Sequence, residues 1–260
     1  MRRKTTRGIG ILLSIMRRIH RCSTVARHIP KMEKIIMGNL THLYETLLAH
    51  YGELNWWPAK TPYEVIIGAL LTQNTAWGNV EKAIANFGSR LSPELVLGAT
   101  HAELIEIIRP AGFFNQKAVY LKAVTEWYGR YGFDVPTVQG EPLEKLRTQL
   151  LDVKGVGGET ADSILLYAFG FPTFVIDAYT VRLCERYPID AGKSYQAIKN
   201  HFERELPKDV IIYNNYHAFI VINGKEHCKK KPHCDGCPLA NGCAKKASAS
   251  PTPISRLRAN

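Results

Sequence analysis

The chain lacks any apolar run long enough to span a bilayer, and nowhere do apolar and polar residues alternate for long with the two-residue period of a strand. The first absence excludes a membrane-spanning helix, and the second predicts an all-α fold. Apolar residues are not scarce, since they make up 45% of the 260 residues, and this excludes a disordered chain. The length is sufficient for a full core in one or two domains.

Acidic residues are scarce at the start of the chain. Residues 1–37 hold ten Lys or Arg against one acid, Glu33, a balance of +9 out of the chain's +11. We expect a separable basic extension there, either a flexible arm or targeting peptide or a stretch that is not translated because synthesis begins at Met32 or Met37. The rest of the chain is only mildly basic. Residues 38–246 are the expected folded part, and residues 247–260 a flexible tail.

A glycine-rich stretch, residues 153–161 (VKGVGGETA), separates two helical patterns at residues 141–151 and 160–169, the second with Thr160 at the cap position. Glycines allow a sharp turn and leave backbone N–H groups uncovered, and uncovered N–H groups at a helix start bind anions. The stretch therefore predicts a helix-hairpin-helix that contacts a nucleic-acid phosphate. Its predicted contact residues are Lys154, Gly155, Val156, Gly157, Gly158 and Thr160.

Asp177 follows a short apolar run and opens a helical pattern, where a carboxylate also serves as an N-cap. The hairpin motif G-V-G-x-x-T-A with this later Asp, together with residues 71–75 (LTQNT), residues 112–118 (GFFNQKA) and a late cysteine cluster, resembles the helix-hairpin-helix DNA glycosylases of the endonuclease III superfamily. The resemblance covers residues 40–243, most of the chain.

This resemblance implies a two-lobed, all-helical glycosylase fold. Residues 61–171 are the expected helical lobe that carries the hairpin. Residues 38–60 and 172–246 are the expected second lobe, which ends in the cysteine loop.

Four of the six cysteines fall within sixteen residues, in the spacing C-x5-C-x2-C-x5-C. Thiols this close indicate a metal centre, and disulfides are the poorer interpretation for an intracellular protein. Zinc more often uses two separated C-x2-C pairs. One pair with longer arms resembles the 4Fe-4S loop of endonuclease III and the adenine glycosylases, which implies a 4Fe-4S cluster, with zinc as the alternative. The ligands would be Cys228, Cys234, Cys237 and Cys243.

Three lysines lie between the first two of these cysteines: Lys229, Lys230 and Lys231. Held against a rigid cluster, they would form a phosphate-binding prong. A solvated basic loop is the alternative interpretation.

The resemblance also assigns roles at the hairpin and in the loop before it. Gln73 matches the family's Gln that fills the gap left by a flipped nucleotide, and Asp177 matches the carboxylate that stabilises positive charge on the sugar. Bifunctional members carry a Lys where this chain has Glu159, and a carboxylate cannot form their Schiff base. We therefore expect a monofunctional glycosylase that leaves an abasic site without AP lyase activity.

Aromatic residues indicate which kind of base the site accepts. Trp56, Trp57 and Trp77 would form a slot for a flat, cationic alkylated purine, because cations are attracted to aromatic faces. Trp-Trp-Pro, L-T-Q-N-T before an aromatic, and K-G-x-G-x-E resemble the 3-methyladenine glycosylases of endonuclease III type, although the resemblance associates those with loss of the cluster.

Three alternatives stay open at this point. A glycosylase for T or U opposite G also lacks the Lys, a strand-cleaving lyase could use another amine, and a non-catalytic iron–sulfur DNA-binding module would use Asp177 only as a cap. His217 reads as an ordinary core histidine. The expected partner is double-stranded DNA with a damaged or mismatched base, and we expect a monomer in the cytoplasm, associated with the nucleoid.

Overall fold

The computed structural model of the protein describes residues 40–54 and 56–244. These residues form helices joined by turns and contain no strand, so the prediction of an all-α fold is confirmed. The predicted extension, residues 1–37, and the predicted tail, residues 247–260, lie outside the described residues. Among the residues described, no helix combines the length and the apolar character that crossing a bilayer requires.

Twelve α-helices are present in the described part of the chain. We number them in chain order. They are α1 Leu40–Tyr51, α2 Pro62–Leu71, α3 Trp77–Phe87, α4 Pro93–Gly98, α5 His101–Ile108, α6 Phe114–Gly129, α7 Val135–Gln139, α8 Leu143–Leu151, α9 Gly158–Ser163, α10 Ala178–Arg186, α11 Tyr195–Glu205 and α12 Val210–Glu226.

Side-chain caps fix where several helices begin. The hydroxyls of Thr61 and Ser92 accept hydrogen bonds from backbone N–H groups three residues later, ahead of the prolines that start α2 and α4. Thr100 forms a capping box with Glu103 at the start of α5. These short polar side chains occupy N–H groups that would otherwise lack partners.

Two hydrophobic cores organise the helices. The first is built from α2 to α9 and the residues that follow α9, with Trp127 and Phe169 among its fully buried members. The second joins α1 to α10, α11 and α12 and includes Phe174, Tyr216 and Phe219. The chain thus enters the second core at α1 and leaves to build the first. It touches the second core again at Leu166 and stays there after Phe169. The lobe limits given above remain a prediction.

A π-helix of Ile164–Ala168 follows α9 and replaces the single helix expected over residues 160–169. Its wider turn changes which side each residue faces. Ile164 and Leu165 are buried in the first core, whereas Leu166 is buried in the second. The π-helix therefore passes between the two cores and anchors in both.

A buried polar network centres on Asp162, which is fully buried at the end of α9. Its carboxylate accepts from Arg147 Nε at 2.8 Å, from Tyr195 Oη at 2.6 Å and from Thr173 Oγ1 at 3.0 Å. Lys199 Nζ lies 3.6 Å from the same carboxylate. Since Arg147 lies on α8 while Tyr195 and Lys199 lie on α11, this network connects the helices that flank the hairpin to the second core.

Candidate active site

A cleft of about 840 Å3 opens between elements of the two cores. The start of α9, the loop between α2 and α3, the start of α10 and one side of α12 form its walls. Nine of the residues assigned to a site from the sequence meet here. Those that line it are Trp56, Trp57, Gln73, Trp77, Gly157, Gly158, Glu159, Thr160 and Asp177.

The hairpin turn depends on Gly155. Its φ of +86° is in the left-handed region, and a Cβ there would lie 2.2 Å from the ring of Tyr120. The helix after the turn begins at Gly158, with Gly157 at the N-cap and no side-chain cap bond. The expectation that Thr160 caps it was wrong, because α9 begins two residues earlier and Thr160 lies buried within it. Val156, before the helix, is also buried. Of the assigned phosphate contacts, Lys154 and Gly157 are exposed, and Gly155 and Gly158 are partly exposed.

Gln73 is fixed to the hairpin. Its Nε2 donates to the carbonyl oxygen of Gly155 and to the hydroxyl of Thr160, each at 2.9 Å. The next residue, Asn74, has a φ of +51° and is exposed at the cleft. The loop after α2 is thus joined to the turn by side-chain bonds that the sequence pattern did not predict.

Lys117 holds the same loop in place through hydrogen bonds from its buried side chain. Its side chain is buried, and Nζ donates to Leu71 O and Thr75 Oγ1 at 2.8 Å and to Ala111 O at 2.9 Å. Burial lowers the pKa of Lys117 to about 8. Sequence reasoning assigned Lys117 no role, although it lies in the motif of residues 112–118.

Asp177 caps α10 with one carboxylate oxygen and presents the other to the cleft. Oδ1 accepts from the backbone N of Tyr179 at 3.0 Å, and from the backbone N and hydroxyl of Thr180 at 2.8 and 3.0 Å. Oδ2 lies 3.6 Å from His217 Nε2. Burial raises the pKa of Asp177, but the interactions with His217 and Thr180 outweigh it, so the pKa lies below its usual range. The carboxylate is therefore oriented and ionised at neutral pH.

His217 is buried, as expected of a core histidine, but one edge of its ring lines the cleft. Its Nδ1 is 2.6 Å from the hydroxyl of Tyr167, and its Nε2 has no hydrogen-bond partner. The sequence signal was a lone His on an apolar helix face, which does not reveal that the ring edge reaches Asp177.

Glu159 as a whole residue is exposed, since it lines an open cleft. Its carboxyl group is nevertheless partly shielded from water by the atoms around it. This burial, with the nearby charge of Asp177, raises the pKa of Glu159 to about 7, against a smaller lowering by His217. Lys154 does not line the cleft. Lys225, on α12, does, and it is the one lysine among the residues described that line it.

The three assigned tryptophans all line the cleft, but they do not form a parallel slot. Trp57 and Trp77 meet edge to face, with ring centroids 5.6 Å apart at 81°. Trp57 also packs on Tyr167 at 4.8 Å. Lys225 Nζ lies 5.5 Å from the ring of Trp56, so a cation already occupies one face of that indole.

Comparison with known proteins agrees with this architecture. The profile of the HhH-GPD superfamily of base excision DNA repair proteins matches residues 67–208. A provisionally named DNA repair glycosylase of Methanocaldococcus jannaschii is 47% identical over 211 residues, which cover 78% of this chain and 95% of that protein. The chain belongs to the HhH-GPD superfamily. It is a DNA repair glycosylase by family.

More distant HhH-GPD relatives share the fold. Endonuclease III of Escherichia coli is 27% identical over 217 residues, 80% of this chain and 93% of that protein. A solved covalent complex of endonuclease III with DNA aligns with a TM-score of 0.66 at 22% identity, over 79% and 94% of the two chains. The 3-methyladenine DNA glycosylase of H. pylori bound to 1,N6-ethenoadenine aligns with a TM-score of 0.62 at 25% identity, over 74% and 97%.

The cysteines of this HhH-GPD chain converge. The predicted ligands, Cys228, Cys234, Cys237 and Cys243, all line one small cavity at the end of α12, together with Arg186 from α10. Cys184 is not among the lining residues. In the described part of the chain, no three His, Cys, Asp or Glu side chains are grouped as the ligands of a single metal ion, which is a narrower requirement than that of a multi-iron cluster. Four thiols around one cavity are the donor set that a 4Fe-4S cluster takes, so these residues fit that group.

Arg186 organises the loop that follows Cys228. Its Nη1 donates to Cys228 Sγ at 3.2 Å and to Lys229 O at 2.7 Å, and its Nη2 donates to Lys230 O at 3.2 Å. The side chains of the three assigned lysines remain exposed. One guanidinium therefore links a cysteine to the backbone of the basic loop.

Proposed function

We propose that this HhH-GPD glycosylase is monofunctional and hydrolyses the N-glycosidic bond of a flipped, damaged base to leave an abasic site. One observation carries the proposal. The hairpin position of the family's lyase Lys is Glu159, and it lines the same cleft as the ionised Asp177. Two carboxyl groups can stabilise a cationic sugar, but neither can form an imine.

Asp177 acts on the sugar in this proposal. The base leaves the stack and enters the cleft, and positive charge then develops at the anomeric carbon. Because Oδ1 is held by the start of α10, Oδ2 is the oxygen available to stabilise that charge and guide a water. Fixing the carboxylate before the reaction avoids reorganisation during it.

DNA would be held from three sides. The exposed N–H groups of the hairpin turn and Lys154 would contact phosphates. Gln73 would fill the gap left by the extruded nucleotide, and for this it must release Gly155 and Thr160. The basic loop of Lys229, Lys230 and Lys231 would contact phosphates farther along the duplex.

The four cysteines would hold a 4Fe-4S cluster. When bound, the cluster supplies rigid cross-links among the four cysteines at the end of the second core. Arg186 would then hold the basic loop against the cluster, because its guanidinium donates both to Cys228 Sγ and to the backbone of Lys229.

The favoured substrate is an alkylated purine such as 3-methyladenine. Indole rings and two carboxyl groups around the cleft favour a flat, cationic base, and such a base is a good leaving group. The solved 3-methyladenine glycosylase that shares the fold gives further support.

A T or U opposite G is the second candidate, and Lys225 is the observation that favours it. The ammonium at the face of Trp56 would repel a cationic base, whereas it would donate hydrogen bonds to the carbonyl oxygens of a neutral pyrimidine.

The test uses duplexes that contain 3-methyladenine, U opposite G, T opposite G or thymine glycol, scored for breaks with and without alkali. We expect breaks only after alkali, and the responsive duplex names the substrate. Asp177→Asn should keep the cap, because Asn is as good an N-cap, but lower the rate by about 10²–10³-fold. No release from any duplex would favour a non-catalytic DNA-binding module.

A lyase would need an amine in the cleft, and Lys225 is the candidate. Borohydride would then trap a covalent adduct with DNA in the wild type and not in Lys225→Gln. We expect no adduct with either protein, and a trapped adduct would contradict the monofunctional proposal.

A further inference from the structure

His217 lies beside the carboxylate that faces the cleft but belongs to a different helix. It comes from α12, whereas Asp177 caps α10. The two atoms that face each other are His217 Nε2 and Asp177 Oδ2, 3.6 Å apart, and the two side chains are only 7% and 11% exposed. The pair therefore joins two elements of the second core at the wall of the cleft.

The Nε2 atom is buried and has no hydrogen-bond partner. Buried polar atoms are nearly always paired, so an unpaired one facing a cleft needs an explanation. Oδ2 lies slightly beyond hydrogen-bond distance, and a small closure of the cleft around DNA would bring the two atoms into contact. The other carboxylate oxygen is already used by three donors from α10.

Tyr167 fixes the ring of His217 from the other side. The Tyr167 hydroxyl is 2.6 Å from Nδ1, and the Tyr167 ring packs on Trp57 with centroids 4.8 Å apart. When that hydroxyl donates to Nδ1, the proton of a neutral imidazole must sit on Nε2 and point towards Asp177. The orientation is that of a donor prepared for the carboxylate.

We propose that His217 is the positioning residue for Asp177: it holds Oδ2 towards the sugar and keeps the carboxylate ionised when DNA closes the cleft. This inference rests on the proposed function, since it gives His217 a role in the same reaction. It does not require a new substrate.

The charges around the cleft explain why such a donor is needed. Glu159 on α9 adds a second negative charge, and the cleft loses water when a base enters it. Both changes favour protonation of a carboxylate. Among the described residues, Tyr167 on the π-helix, Tyr179 on α10 and Lys225 on α12 are the other titratable groups that face this region. His217 opposes protonation directly, since its interactions lower the pKa of Asp177.

Three substitutions separate the parts of the argument. His217→Leu removes both ring nitrogens at similar volume. His217→Gln keeps a donor that can reach Oδ2. Tyr167→Phe keeps the ring that packs on Trp57 but removes the hydroxyl that orients His217. Unfolding temperatures and affinity for DNA with an abasic-site analogue serve as checks on folding and binding.

The first readout needs no activity. Protein with [13Cγ]-labelled aspartate is titrated by NMR, and Asp177→Asn assigns the Asp177 signal. We expect the midpoint of Asp177 to move to higher pH in His217→Leu, to be largely restored in His217→Gln, and to move part of the way in Tyr167→Phe. An unchanged midpoint in His217→Leu would overturn the inference.

The second readout is the single-turnover rate of base release at saturating enzyme. His217→Leu should lower it by about 10²-fold with little change in affinity for abasic DNA. The acid limb of its pH profile should move to higher pH, since a carboxylate with a raised pKa is lost earlier as the pH falls. A wild-type rate and limb in His217→Leu would overturn the inference alone. A wild type that releases no base would instead overturn the proposed function, and the NMR titration would still decide the role of His217.

Discussion

Gln73 donates a hydrogen bond from Nε2 to the carbonyl oxygen of Gly155, 2.9 Å away, and so the residue assigned to enter the duplex is joined to the turn assigned to hold it. A substitution in the turn is therefore expected to change the position of the loop after α2. The two parts of the proposed DNA-binding surface are linked by these side-chain bonds in the free protein.

Gly155→Ala tests that link. Its left-handed φ and the 2.2 Å approach of an added Cβ to Tyr120 should lower the free energy of unfolding by about 2 kcal/mol or more. Gly157→Ala is the matched control, because φ there is −96° and no atom lies within 4 Å of the added Cβ. Urea unfolding should show little change for Gly157→Ala, while weaker DNA binding by this stable variant would support phosphate contact at the turn. Equal unfolding free energies for the two variants would contradict the account.

Glu159→Gln should change how stability depends on pH. Because the pKa of Glu159 is raised to about 7 by burial and by Asp177, the folded protein holds a proton between about pH 4.5 and 7 that the unfolded chain has released. Stability from this group is therefore lost as the pH rises through that window. Gln does not titrate, so the unfolding temperature of Glu159→Gln relative to wild type should rise from pH 5 to pH 8. A difference that is constant with pH would show that Glu159 has an ordinary pKa.

Asp162→Asn should be among the most destabilising single changes at a polar residue. It leaves Arg147, and in part Lys199, buried beside a neutral amide, and breaking a buried ion pair costs about 3–5 kcal/mol. Glu106→Gln removes an exposed partner of Arg109 and serves as the control, with no measurable loss expected. Denaturant unfolding of both variants checks the comparison. A small effect of Asp162→Asn would mean that water, or Glu203, which already forms an ion pair with Lys199, compensates for the lost charge.

Cys228→Ser should lower the bound metal, whereas Cys184→Ser should leave it unchanged. Cys228 lines the cavity shared by the four predicted ligands, and Cys184 does not. Elemental analysis of iron and zinc, with labile sulfide, gives the content of each purified variant and identifies the metal. Loss of metal from both variants, or from neither, would contradict the predicted ligand set.

Replacing Lys229, Lys230 and Lys231 by Gln should weaken DNA binding mainly at low salt. If each lysine contacts a phosphate, the slope of log affinity against log salt should decrease by about 0.9 for each one. Lys145→Gln is the control, because Lys145 on α8 is exposed and forms an ion pair with Glu141, which precedes that helix. An unchanged slope in the triple variant would mean that the basic loop is only solvated.

The sequence predicted the elements whose signals are local. Asp177 opens a helix, α10, as expected, and it caps that helix through N–H groups two and three residues later. Thr61 and Ser92, each followed by a proline, cap their helices in the same local way. Contacts between residues that are distant in the sequence were not predicted. Thr160 bonds to Gln73, 87 residues away, and Lys117 reaches the backbone of Leu71, so neither contact appears in a periodic pattern. His217 was assigned correctly to the core, but only the packing of α12 against α10 shows that its ring edge faces the carboxylate.

The second core also has a consequence for synthesis. Tyr216 donates to the carbonyl oxygen of Leu40, 176 residues earlier in the chain, and its ring packs on Tyr44. On a ribosome that adds about 5–20 residues per second, α1 emerges on the order of ten seconds or more before the helix that covers it. The intervening residues complete the first core during that time. The second-core partners of Leu40, Leu43 and Leu47, which are fully buried in the folded protein, are therefore synthesised late, and we expect this side of α1 to be a site of chaperone binding or aggregation in the growing chain.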